Sequence, residues 1–238
     1  MNPLIQKLEQ FQKLSDDEKR VLEAAITNVV EFGSREDIIS DGERPECVHL
    51  LLTGWAARYK ILSDGERQIM AYLIPGDLCN IHIALLDRMD HGIASLSRCE
   101  VGLIPRAKVD EIMTEHTQLA RALFWATLVD EAILREWLVS IGRRSAEKRV
   151  AHLFCEMLLR LRAIGLTTDD SFELPLTQEE LADTMGISSV HMNRTLQELR
   201  SADLITSKGR LLIINDAERL MEFSGFDPDY LHQREEKD

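Results

Sequence analysis

Leu176-Thr177-Gln178-Glu179-Glu180-Leu181-Ala182-Asp183-Thr184-Met185-Gly186-Ile187-Ser188 reads as a helix, a tight turn and the cap of a second helix. Thr177 and Glu180 stand three apart, so each side chain can satisfy the other's backbone N–H in a capping box. Leu181 and Met185 lie one turn apart on a face to be buried, and Ala182 is small where another helix must come close. Gly186 supplies the left-handed residue that ends the first helix. Ile187 is an apolar plug, and Ser188 caps a second helix over Ser189 to Ser201. A helical hairpin can share the glycine and the caps. The joint order of cap, alanine, glycine, plug and second cap predicts a helix-turn-helix that reads duplex DNA.

The next residues extend that reading. Asp203 to Ile214 reads as strand, turn and strand, with Gly209 at the turn. A hairpin after the second helix is a wing, and Lys208 and Arg210 at its tip are candidate phosphate contacts. The chain carries a net charge of −13, which argues against a nonspecific coat for polyanions. Within 188–214, however, Arg194, Arg200, Lys208 and Arg210 outnumber Glu198 and Asp203. Two surplus charges are a thin footprint for a single copy, so a dimer is expected.

Upstream the pattern is different. Glycines fall at 33, 42, 54, 65, 76, 92 and 102, with short apolar runs between them at 48–52, 56–62, 68–74 and 101–104. Such spacing predicts many short strands. Ser63-Asp64-Gly65-Glu66 and Pro75-Gly76-Asp77 are turns. Ser15 and Glu18 form a second capping box, so a helix precedes the strands.

From Lys108 to Arg162 there is no proline and only Gly142. Leu119, Leu123, Ala126, Val129, Ile133, Trp137 and Ile141 recur at helical spacing. That stripe fits a core helix packed on the strands or a seam between two copies, and one long helix can do both. We assign a dimerisation helix over about 108–142 with these seven residues as its seam. Gly142-Arg143-Arg144-Ser145 breaks the pattern and Ser145 can cap another helix. The expected fold class is therefore α+β. Residues 1–142 form an antiparallel β-roll with the long helix, and 143–238 a winged helix-turn-helix with an acidic tail.

Composition narrows the function. No run approaches the ~20 apolar residues of a membrane span, and the N-terminus lacks a secretory pattern. A cytoplasmic protein is expected. Cys47, Cys79, Cys99 and Cys155 are scattered without a C-x-x-C pair, so neither disulfides nor a cysteine metal site is expected. No Gly-rich phosphate loop, G-x-S-x-G or H-E-x-x-H motif occurs, and no enzyme is expected.

A β-roll, a long helix and a winged helix-turn-helix resemble the Crp–Fnr family of bacterial transcription regulators. The resemblance covers roughly residues 15–220 and is strongest in Leu176–Leu204 and in the turns at Asp41-Gly42, Gly54 and Pro75-Gly76-Asp77. It implies a homodimer, a two-fold DNA site, an effector pocket in the roll and RNA polymerase as a partner. Base-reading positions of the family fall on Ser189, Val190, Asn193 and Arg194. Arg194 keeps the family's basic residue, and arginine pairs bidentately with guanine. Val190 stands where the common pattern has glutamate, so the half-site should depart from the common one, with a thymine methyl as a partner. Thr177, Gln178, Ser188 and His191 join Lys208 and Arg210 as candidate phosphate contacts.

In the roll the resemblance weakens. Cyclic-nucleotide members carry a Gly-Glu pair after the Gly-Asp turn and an Arg-Ser pair about ten residues later. Here Gly76 to Ala94 contains neither pair, and His91-Gly92 occupies the second slot. Cyclic nucleotide is not expected, because a buried phosphate needs a paired cation. The first cysteine is Cys47, so the N-terminal cluster of the iron–sulfur branch is missing. His82 matches the offset of the ligand histidine in the haem-binding branch, which admits haem as a cofactor. Cys79, His82 and His91 are thus the candidate effector-pocket residues. A second functional reading uses the same architecture: a ligand-binding regulatory module whose C-terminal helices grip a protein partner. A steep fall of DNA affinity with salt separates the two.

Overall fold

The structure, a computed structural model, describes residues 2–233; the end of the acidic tail, 234–238, lies outside the described residues. The chain forms two compact units, dividing after Leu128. The expected boundary lay at Gly142; the observed division falls inside a helix instead.

The first unit opens with α1 (Pro3–Leu8) and α2 (Asp16–Ala25). Asn2 Oδ1 accepts from Leu4 N at 3.0 Å, and Pro3 starts α1 with its ring where no N–H is needed. Ser15 and Glu18 close the expected capping box on α2. The strands are β1 (Asn28–Phe32), β2 (Asp37–Ile39), β3 (Cys47–Thr53), β4 (Ala56–Ile61), β5 (Arg67–Leu73), β6 (Gly92–Ser95) and β7 (Cys99–Pro105). They form two antiparallel sheets, ordered β1-β7-β3 and β2-β6-β4-β5. Inward residues such as Leu50, Val101, Leu73 and Ile93 alternate with outward ones and make one core.

Gly76 shows why its turn needs glycine. Its φ is +94°, and a Cβ there would stand 2.5 Å from the carbonyl oxygen of Pro3. Lys7 Nζ reaches Asp77 Oδ1 at 2.6 Å, and Asp77 Oδ2 accepts from Ile74 N at 2.9 Å. The turn is therefore also the seat of α1.

The helix expected over 108–142 is two helices, α3 (Arg106–Glu115) and α4 (Thr117–Arg143). His116, at φ −120° and ψ 75°, leaves the helical region and separates them. The expected seam also needs correction. Leu119, Leu123, Ala126, Val129, Ile133 and Trp137 are all buried within their own chain. Only Ile141 of the seven is exposed. Periodicity identifies an apolar face, but not whether the chain's own residues cover it. The outward apolar side chains of α4 are Phe124, Leu128, Leu134, Leu138, Val139 and Ile141.

The second unit contains the end of α4, α5 (Ala146–Arg162), β8 (Ser171–Glu173), α6 (Gln178–Met185), α7 (Ser189–Ser201), β9 (Ile205–Lys208), β10 (Leu211–Ile214) and α8 (Ala217–Ser224). Ser145 caps α5 as expected. Strand order is β8-β10-β9, so the wing hairpin gains a third strand. A buried carboxylate fixes the elbow between α4 and α5. Glu156 is fully buried and accepts from Trp137 Nε1 at 2.9 Å, Tyr230 OH at 3.0 Å and Arg160 Nη1 at 3.1 Å. Burial pushes its carboxyl up, and the Arg160 charge and the donated hydrogen bonds oppose that. The Trp137 contact ties the last turns of α4 to this unit.

Candidate nucleic-acid interface

Helix α6 begins at the Thr177–Glu180 capping box, with Thr177 N donating to Glu180 Oε2 at 2.7 Å and Glu180 N to Thr177 Oγ1 at 3.1 Å. Gly186 ends it at φ +62° and ψ 42°. Arg149 Nη1 donates to the Met185 carbonyl at 2.7 Å, satisfying an orphan acceptor at that end. Ser188 Oγ accepts from His191 N at 3.2 Å and starts α7 at the expected residue.

Thirteen residues make a marginal helix in isolation, so packing has to hold α7. Met192, Leu196 and Leu199 are buried on its inner face, at about 1.5–3 kcal/mol each. The opposite face is free. Ser189 and Val190 are exposed, the latter at 81%. The Arg194 side chain is 67% exposed and held only by Glu198 at 3.9 Å, a loose pair that a base edge can replace. Asn193 is half-buried, and its Nδ2 donates to Gln178 Oε1 at 2.9 Å. That bond joins the first residue of α6 to the reading face of α7.

Thr177, Gln178 and Ser188 are exposed at the two helix starts, and His191 is half-buried. Lys208 and Arg210 are exposed around Gly209, whose φ of +62° forms the hairpin turn. Arg200 Nη2 reaches Ser207 Oγ at 3.4 Å, tying helix to wing. The four base-reading and six phosphate candidates thus all fall on α6, α7 or the wing tip of one unit. The outward face carries donors and cations on a fixed helix, the chemistry that reads a major groove.

This geometry agrees with known proteins. Residues 148–223 match the description of a Crp-like helix-turn-helix domain, and residues 29–116 that of a cyclic nucleotide-binding domain. The chain belongs to the Crp–Fnr family. The transcriptional activator protein FnrL of Cereibacter sphaeroides is 26% identical over 202 residues, covering 83% of this chain and 81% of FnrL. The nitrogen fixation regulation protein FixK of Bradyrhizobium diazoefficiens is 27% identical over 170 residues, covering 71% of this chain and 70% of FixK. The solved structure of FixK2 from Bradyrhizobium japonicum aligns at a TM-score of 0.74 with 25% identity, over 82% of this chain and 96% of that one. This Crp–Fnr chain is a DNA-binding transcription regulator.

In the roll, Arg58 donates from Nε to the Cys79 carbonyl at 3.2 Å and from Nη2 to the Leu78 carbonyl at 3.0 Å. Burial, the largest cause, lowers the pKa of both His82 and His91. Of the three candidate pocket residues, the fold brings two together. The His82 and His91 rings lie 5.5 Å apart at 43°. Asp90, which the sequence reading did not select, joins them: one ligand atom from each of the three lies within 4.8 Å of the others. Cys79 is buried and its thiol is outside that group. Among the described residues no helix is long and apolar enough to cross a membrane.

Proposed function

We propose that this regulator acts as a homodimer on a two-fold symmetric DNA site, each copy placing α7 in one major groove. The observation that carries the reading is the outward face of α7. It presents Arg194, Val190, Ser189 and the Gln178-tethered Asn193 while its inner face is buried. Arg194 pairs with guanine and Val190 rests on a thymine methyl. Thr177, Gln178, Ser188, His191, Lys208 and Arg210 hold phosphates and fix the register. The dimer forms on the outward side of α4, through Phe124, Leu128, Leu134, Leu138 and Ile141, which a monomer leaves wet. The protein works in the cytoplasm, without catalysis, and engages RNA polymerase from the bound site. The names of the FnrL and FixK relatives support a regulator of transcription, and FnrL's favours activation.

Selection of bound sites from a random duplex pool tests this. The expected result is a palindrome with half-site centres about 34 Å apart, one helical turn, bound by a chain that sediments as a dimer. Enrichment of a single unpaired half-site, no enrichment at all, or a chain that stays single at binding concentrations overturns it. In the last two cases, a protein partner of the C-terminal helices becomes the better reading.

A further inference from the structure

We propose that the first unit holds one divalent transition-metal ion of the zinc, cobalt or ferrous class, bound by Nε2 of His82 and Nε2 of His91, with Asp90 orienting His91. The sequence admitted haem at His82 by its offset; the placement of the side chains carries the case for a bare ion.

Both nitrogens are buried and have no hydrogen-bond partner. A buried ring nitrogen without a partner is rare, and two such nitrogens on rings whose centres lie 5.5 Å apart call for an occupant. His91 Nδ1 sits 2.6 Å from Asp90 Oδ1. That bond places the proton on Nδ1 and leaves a lone pair on Nε2, the carboxylate–histidine arrangement that orients a metal ligand. The ring spacing fits as well. With metal–nitrogen distances of about 2.1 Å, two imidazoles on one tetrahedral ion have ring centres about 5.2 Å apart, against 5.5 Å here. Imidazoles on opposite faces of a haem iron would stand about 6.4 Å apart along a straight line, so the pair does not fit a bis-histidine haem.

The scaffold keeps the two rings in place. His82 lies in the single 3₁₀ turn Ile81–Ala84, while His91 immediately precedes β6, which pairs with β4. Gly92 packs so closely on Tyr59 that a Cβ would fall 2.5 Å from its ring. The charges acting on the two rings are those of Arg58 and Asp90, with Asp41 also acting on His91. Asp90, held on Nδ1 of His91, stays outside the ion's first shell, and water completes that shell beside the two imidazoles. Imidazole donors select zinc-like and ferrous-like ions over calcium or magnesium.

Cobalt titration of the full-length, chelator-treated protein is the test. One equivalent of Co²⁺ should produce visible d–d absorption without a thiolate charge-transfer band, and Zn²⁺ should displace it. His82→Gln and His91→Gln should each abolish the band, and Asp90→Asn should weaken binding about 10–100-fold. Circular dichroism checks that the variants fold. In the native protein, ¹⁵N imidazole spectra should show Zn²⁺ shifting Nε2 of these two histidines alone. A flat cobalt titration, a band that survives both glutamine variants, or imidazole shifts elsewhere overturns the proposal; a Soret band with haem and no cobalt band does the same. None of these measurements involves DNA, so their failure leaves the regulator reading standing.

Discussion

Two regions of the second unit are built on opposite rules. At the elbow, Glu156 is fully buried and accepts three hydrogen bonds at 2.9–3.1 Å. On the reading face, Arg194 is held by one exposed partner at 3.9 Å and Val190 by nothing polar. The contrast teaches a division of labour. Stiffness is concentrated where α4 meets α5, and freedom is left to the outward side chains of α7 that we propose meet a base. A mobile side chain on a rigid helix loses little on binding and still arrives in register.

Removing the elbow carboxylate is the severest challenge to that contrast. Glu156→Ala removes the shared acceptor of Arg160, Trp137 and Tyr230, and should cost about 3–5 kcal/mol of unfolding free energy. Denaturant melts followed by Trp137 fluorescence measure it, and a loss under 1 kcal/mol would erase the distinction between the regions. Arg194→Ala should do the reverse. It should lower the preference for specific over random DNA by about 10–100-fold, or about 1–3 kcal/mol per half-site, with the same melt.

The third prediction concerns acid. His152 is buried, stacked on Tyr230, with Glu136 at 3.4 Å. Burial first, and the Arg144 charge second, pull its pKa down to about 4. The unfolded chain takes up this proton near pH 6.5 and the folded one does not. Stability is therefore full above pH 6.5 and falls as pH drops toward 4. His152→Phe keeps the ring contacts and should flatten the decline by roughly 1 kcal/mol between pH 6.5 and 5.5. Equal pH slopes in both proteins would remove His152 from the elbow's account. The smallest effect belongs to the wing. Lys208→Ala should weaken all duplex sequences alike and reduce the salt slope by about one per copy.

Local chemistry was legible in the sequence. The capping boxes at Ser15 and Thr177, the glycine stop at 186 and the wing turn at 209 are each set by a few adjacent residues, and all appear as read. The misses concern what lies across from a residue. The Leu119–Trp137 stripe was visible, but its cover was not. The break at His116 carries neither glycine nor proline to mark it. Glu156 and Arg160 resemble an ordinary i,i+4 surface pair until the indole of Trp137 and the phenol of Tyr230 close over them. His82 and His91 were found by their offset, whereas Asp90 belongs to the cluster only because β6 brings the neighbouring His91 back to the 3₁₀ turn.

The bond from Asn193 to Gln178 has an evolutionary consequence. Whatever Asn193 recognises, it does so with one amide already engaged by the preceding helix. A substitution at 193 that alters operator choice also strands the glutamine, and a change at 178 unmoors the asparagine. Retargeting this surface should therefore proceed by paired changes, with single mutants trapped between two specificities.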